Sequence, residues 1–186
     1  MHNPMINKLI INTGSMFSGK STELQRQGER HLLAGHKVIF LKPDLDNRYG
    51  VNEIVNHKGV RVTAQSIPVD DDIRTYISDD IQIVLIDEVQ FFDGRIFNDI
   101  WDLLEQGKTV YCSGLDMDFR GQPFEVIANL MCLADEVNKF HAVCSHCGAD
   151  AVYSAKLESD STQRVELGEK DKYKPLCRNC YYEFME

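Results

Sequence analysis

Lys8-Leu-Ile-Ile-Asn-Thr13-Gly14-Ser15-Met16-Phe17-Ser18-Gly19-Lys20-Ser21 is the stretch that decides the fold. Its first half is a short apolar run and reads as a buried strand, Lys8 to Thr13. Its second half meets the pattern G-x-x-x-x-G-K-[ST] at every fixed position. Beyond it, Lys20 to Ala34 reads as a helix, closed by Gly35 just past its end. A strand, a glycine-bounded loop and a helix in that order form the context in which this motif binds phosphate. The glycines let the backbone wrap a polyphosphate, and successive N–H groups and the helix N-terminus supply fixed positive potential. Lys20 adds a point charge near the β- and γ-phosphates, and the Ser21 hydroxyl is placed to ligate Mg²⁺. The motif therefore implies a nucleoside triphosphate, without saying what is done with it.

Working outward, Lys37 to Leu41 reads as a second strand stopped by Pro43, Ile81 to Ile86 as a third, Thr109 to Cys112 as a fourth and Asp135 to Phe140 as a fifth. Helices are expected over Ile96 to Gln106 and Phe124 to Ala134. Residues 44 to 80 are rich in Asp, Asn and Gly and yield only a weak strand near Val60 to Thr63 and a short helix after Asp70. Strands separated by helices imply crossover connections, hence an α/β fold: a parallel phosphate-binding-loop sheet flanked by helices. The run Ile83-Val-Leu-Ile86 ends in Asp87-Glu88. Ligands of such sheets bind at the carboxyl ends of strands, so Asp87 is expected to face the loop and hold Mg²⁺. Glu88 is a candidate to take a proton from an attacking hydroxyl. Water as the attacking group would make a hydrolase or switch, and a substrate hydroxyl a kinase.

Composition narrows the classes further. The 186 residues correspond to about one domain with a small accessory lobe. Apolar residues are 43% and charged ones 26%, which excludes a disordered or collagen-like chain. A net charge of −9 with no basic run argues against a general nucleic-acid binder. The longest uncharged stretches, such as Leu9 to Gly19 and Val126 to Ala134, fall short of the ~18 apolar residues of a membrane helix. The first residues show no signal-peptide pattern, so a cytoplasmic location and reduced cysteines are expected.

From His141 onward the texture changes. Cys144-Ser-His-Cys147 and Cys177-Arg-Asn-Cys180 form two C-x-x-C pairs. Four thiolates on two knuckles make a closed tetrahedral Zn²⁺ site, structural rather than catalytic. Cys112 and Cys132 lie in apolar segments and read as core residues; His146, between two ligands, is expected to point to solvent. Two regions follow: a nucleotide-binding α/β domain over 1–140 and a zinc-binding lobe over 141–186. Such cysteine pairs also occur in nucleic-acid zinc ribbons. Here, however, residues 151–186 carry six basic against seven acidic side chains, which leaves no basic face.

Taken together, these pieces resemble the zinc-containing thymidine kinases. The matching segments are Gly14 to Thr22, Asp46-Asn-Arg48-Tyr49, Asp87-Glu88-Val-Gln90-Phe91-Phe92, Leu115-Asp-Met-Asp-Phe119-Arg120-Gly-Gln-Pro123-Phe124 and Asp171-Lys-Tyr173 before Cys177. They run in the family's order over nearly the whole chain.

The resemblance implies transfer of the γ-phosphate of ATP to the 5′-hydroxyl of thymidine, and also of deoxyuridine, with Glu88 as the catalytic base. It implies ATP contacts from Gly14 to Ser21, from Asp46 and Arg48, from Asp87 and from Gln90. Around the nucleoside it implies Met16, Phe91, Leu115, Phe119, Phe124, Ser154 and Tyr173, with Phe119 packed on the thymine ring. Phe91, Leu115 and Phe119 also read as plain core residues. A lasso-like loop through Arg164, Val165, Glu166, Leu167 and Gly168 would bond the base edge by its backbone. Ser154 stands where the family commonly has Thr, which leaves a roomier methyl pocket. A homotetramer and feedback inhibition by thymidine triphosphate are further implications of the resemblance alone. The competing readings are a phosphate-loop ATPase or switch with a zinc-ribbon interaction lobe, and a kinase for another nucleoside such as deoxycytidine.

Overall fold

A computed structural model of the chain describes residues 7–45, 53–55, 61–157 and 172–186. Strand β1 (Leu9–Gly14) runs into the loop, then helix α1 (Lys20–Leu33) and β2 (Val38–Pro43) follow. A hairpin of β3 (Glu53–Val55) and β4 (Arg61–Thr63) stands apart from the main sheet. Next come β5 (Gln65–Ile67), a 3-10 turn (Ile73–Tyr76), β6 (Ile83–Ile86), α2 (Ile96–Glu105), β7 (Thr109–Gly114), α3 (Glu125–Leu133) and β8 (Glu136–Phe140). The C-terminal part holds β9 (Ala142–Val143), β10 (Asp150–Ala151), β11 (Tyr153–Lys156), β12 (Tyr173–Leu176) and α4 (Arg178–Met185).

The main sheet has the order β5-β2-β6-β7-β1-β8, and every pairing in it is parallel. Its central strands are buried on both faces, which is why Ile83-Val-Leu-Ile86 carries no alternation. One face packs Leu9, Ile11, Val84, Ile86, Val110 and Cys112 against α2 and α3 residues such as Ile100, Leu103, Ile127 and Leu130. The other packs Phe40, Ile83 and Leu85 against Leu24 of α1. Helix α1 lies close because it has no side chain at Gly28: a Cβ there would sit 2.1 Å from the Phe40 ring. Strand β7 separates β1 from β6, so the phosphate loop and the acidic strand end flank a common crevice at the carboxyl edge.

The expected strands and helices are present, with shifted ends: β7 runs on to Gly114, and the helix expected from Phe124 begins at Glu125. The edge strand β5 went unread because Gln65 and Ser66 lack an apolar run, and partnering by β2 supplies what its propensity does not. The short helix expected after Asp70 is the 3-10 turn capped by Asp72, whose side chain accepts from the Arg74 N–H. Cys112 is buried as expected, but Cys132 is exposed, a correction to its reading as core. Helix α3 buries Ile127 and Leu130, three apart, and a residue two further on faces away from that stripe.

A second apolar cluster lies in the C-terminal part: Ala142, Cys144, Ala151, Tyr153, Ala155, Leu176 and Tyr181. Phe17 of the phosphate loop and Met117 pack onto it. No helix among the described residues is long and apolar enough to cross a membrane.

Candidate active site

The loop between β1 and α1 is set by backbone geometry first. Gly14 has φ 139°, and a Cβ there would lie 2.2 Å from the Phe140 carbonyl oxygen on β8, so no larger residue fits. Phe17 takes φ 64°, uncommon for a residue with a side chain, and its ring is held in the C-terminal cluster. Lys20 folds back into the loop and donates to the Ser15 carbonyl at 2.6 Å and the Ser18 hydroxyl at 3.4 Å. Ser18 Oγ donates to the same carbonyl at 2.8 Å. Burial pulls the Lys20 ammonium below its ordinary pKa, opposed by the charges of Glu88, Asp87 and Asp116. An ammonium that lacks water and faces three carboxylates and a carbonyl stands ready to accept a polyanion.

The acidic strand end meets the loop as expected. Ser21 Oγ donates to Asp87 Oδ1 at 3.2 Å, and the Glu88 N–H donates to the same oxygen at 3.0 Å. Glu88 sits in the left-handed region, φ 51° and ψ 39°, so the chain turns sharply and its carboxylate leaves the strand direction. Gln90 Nε2 donates to Glu88 Oε2 at 2.5 Å, while Gln90 Oε1 accepts from the Leu115 N–H at 3.2 Å. Gln90 thereby ties one oxygen of Glu88 to the end of β7, and among the described residues no hydrogen bond engages the other. Burial raises the proton affinity of both carboxyls, with the Asp87 charge adding to the rise at Glu88.

The residues expected around the nucleoside fall into three groups. Phe91 and Phe124 meet edge to face, with centroids 6.5 Å apart, and the half-buried Leu115 packs on the core cluster that contains Phe124. Phe119 is half-buried, with Arg120 Cζ 5.0 Å and Lys156 Nζ 5.1 Å from its ring centroid, so it is not a plain core residue. Ser154 and Tyr173 are buried on the paired strands β11 and β12. Met16 is joined to that region because its N–H donates to Ser154 Oγ at 2.9 Å. Asp46, Arg48 and the loop residues Arg164, Val165, Glu166, Leu167 and Gly168 lie outside the described residues.

The four cysteines come together. The Sγ atoms of Cys144, Cys147, Cys177 and Cys180 lie within 4.8 Å of one another, and Cys147 and Cys177 are 3.6 Å apart. Bonds of about 2.3 Å at tetrahedral angles would set sulfurs at about 3.8 Å, so the donor set fits Zn²⁺. The backbone N–H of Cys177 and further amides pull the Cys144 thiol down to about 6, while the neighbouring Cys177 sulfur pushes the Cys180 thiol up. His146 is exposed, but its ring does not simply point to solvent as expected: Nδ1 lies 3.3 Å from Cys180 Sγ.

Sequence reading missed Asp116 and one long-range contact of this site. Asp116 is buried, ion-paired to Lys139 at 2.9 Å, and adds its charge to the field at Lys20. Its signal was available: Leu115-Asp-Met-Asp follows a strand end, as Asp87-Glu88 does. Ser15 Oγ donates to the Ala151 carbonyl at 3.2 Å, a contact across 136 positions that no local pattern announces.

Comparison with known proteins decides the family. The family model for thymidine kinase matches residues 7–181. This chain belongs to the thymidine kinase family. A thymidine kinase of Pseudothermotoga lettingae is 42% identical over 178 residues, spanning 95% of this chain and 96% of that one. Among solved structures, the flagellar accessory protein FlaH of Methanocaldococcus jannaschii superposes with a TM-score of 0.52 at 16% identity, covering 91% of this chain and 89% of that one. That likeness concerns the fold alone. The cysteine cluster agrees with the zinc-containing type of thymidine kinase.

Proposed function

We propose that Glu88 is the general base of an ATP-dependent transfer to the 5′-oxygen of thymidine, with Gly14 to Ser21 as the triphosphate cradle. Family membership makes the chain a thymidine-phosphorylating, ATP-dependent kinase. The observation that carries the residue assignment is the convergence of Lys20, Ser21, Asp87 and Glu88 at the end of β6, with Gln90 engaging one Glu88 oxygen and no described residue bonding the other. The thymidine oxygen attacks the γ-phosphorus, the bond to the bridging oxygen breaks, and ADP leaves. The hydroxyl proton passes to Glu88. Lys20 and the loop amides balance the charge on the transferring group.

Ser21 and Asp87 would hold Mg²⁺ with ATP, neutralising charge on the phosphates. Cys144, Cys147, Cys177 and Cys180 would hold Zn²⁺, which pins β12 and α4 to the turn at 144–147. Met16, Phe91, Leu115, Phe119, Phe124, Ser154 and Tyr173 form the nucleoside pocket in this reading, with Arg164 to Gly168 bonding the base edge by its backbone. Asp46 and Arg48 join the phosphate site. We extend the reading to a nucleotide-binding domain over 1–140, a zinc lobe over 141–186, a homotetramer, inhibition by thymidine triphosphate, and a cytoplasmic location.

The test is ADP formation with a panel of nucleosides at equal concentration. Turnover with thymidine and deoxyuridine, little with deoxycytidine and little without nucleoside, is the expected result. Equal ADP release with no nucleoside present would replace this reading with that of an ATPase.

A further inference from the structure

The loop that carries Phe119 is shaped from within. Asp118 Oδ1 accepts from the N–H groups of Arg120 and Gln122, each at 2.9 Å, and the Asp118 N–H donates to the Gln122 carbonyl at 2.9 Å. Met117 and Pro123 close the loop as a bridge. These bonds fix the loop's own form but not its angle to the C-terminal lobe. A bond across 62 positions does that: Tyr181 Oη donates to the Phe119 carbonyl at 2.7 Å.

Tyr181 is itself held on several sides. It is buried on α4 and follows Cys180 directly, and its N–H donates to the Cys177 carbonyl at 2.9 Å, so two of the four sulfur donors flank it in sequence and bonding. Its ring stacks on Tyr153 of β11 with centroids 4.1 Å apart and planes 10° apart. Arg178 Nη1 donates to Tyr153 Oη at 2.6 Å and reaches Tyr182 Oη at 3.2 Å, which locks the stacked partner in turn. The hydroxyl is thus a rigid point on the lobe that reaches the backbone of Phe119.

We propose that Tyr181 is a positioning residue for the nucleoside: it sets the height and tilt of the Phe119 ring through that residue's carbonyl. The inference rests on the reading of Phe119 as the ring that packs on the base. A side chain of this kind touches no substrate. Its loss would loosen the base platform while leaving the phosphate loop and Glu88 in place.

The experiment is steady-state kinetics on Tyr181→Phe and Phe119→Ala, with thymidine and ATP varied separately and bound zinc measured in each. Tyr181→Phe keeps the stack and removes only the hydroxyl. Its KM for thymidine is expected to rise roughly three- to ten-fold, the worth of one buried hydrogen bond. Its kcat, its KM for ATP and its zinc content stay near those of the parent. An unchanged thymidine KM in Tyr181→Phe, beside a raised one in Phe119→Ala, overturns the positioning role alone. A parallel rise in both KM values with zinc loss also overturns it, as a mere loosening of the lobe. An unchanged thymidine KM in Phe119→Ala removes the base-packing reading and the proposal with it.

Discussion

Ser154 Oγ accepts a hydrogen bond from the Met16 N–H at 2.9 Å, joining the phosphate loop to strand β11 across 138 positions. With Ser15 Oγ on the Ala151 carbonyl and Phe17 packed in the C-terminal cluster, three successive loop residues are held by the lobe that carries the cysteines. The glycine-bounded loop and the four-cysteine lobe are therefore one mechanical unit.

Ser154→Ala leaves the Met16 N–H without its buried acceptor, which costs about 1–3 kcal/mol. We expect the KM for ATP to rise together with that for thymidine. Ser154→Thr, which keeps the hydroxyl, should restore the ATP value. The check is a pair of KM measurements on each variant.

In the proposed mechanism, Glu88→Gln removes the proton acceptor while keeping the side-chain shape. A fall in kcat of ~10² or more is expected, with ATP affinity retained. Single-turnover phosphate transfer alongside nucleotide titration separates the two effects, and full turnover in the variant would reassign the base.

Gly28→Ala drives a methyl group into the Phe40 ring, 2.1 Å from the position of its Cβ. Overpacking of this kind costs about 1–3 kcal/mol, more than the gain in helix propensity from replacing Gly. The urea midpoint should fall, and pairing the change with Phe40→Leu should recover part of the loss.

His31 lies on α1 with Nε2 3.0 Å from Tyr111 Oη and Nδ1 3.4 Å from His36 Nδ1. Burial, then the neighbouring His36 and Arg30, lowers its pKa from the ordinary value. The unfolded chain therefore binds this proton at higher pH than the folded one. Stability attached to His31 is complete above about pH 6.5 and is lost as pH falls through the lowered folded value. Denaturant midpoints measured from pH 7.5 down to 5 should decline, and the decline should be shallower in His31→Gln.

Much of the fold was legible because its signals are local. An apolar run, a glycine-bounded loop and a helix closed by glycine are each decided within a few residues, and Leu9–Gly14, Lys20–Leu33 and Ile83–Ile86 formed where their residues called for them. Two C-x-x-C pairs carry their meaning in spacing, and the thiols met. Cys132 was misread because an apolar neighbourhood does not say which side of a helix a position takes; burial is decided by rotation about the axis.

By itself, then, the chain's order of residues determined the class of fold, the phosphate loop, the acidic strand end and the sulfur donor set, since these depend on neighbours in sequence. Only the tertiary structure decided that Gln90 grips Glu88, that Asp116 joins the field at Lys20, and that Ser154 and Tyr181 hold the loop and the Phe119 carbonyl. The reason is physical. A hydrogen bond spanning 138 positions leaves no periodicity in the chain, and it exists only once packing has removed the water that would otherwise satisfy its donor and acceptor.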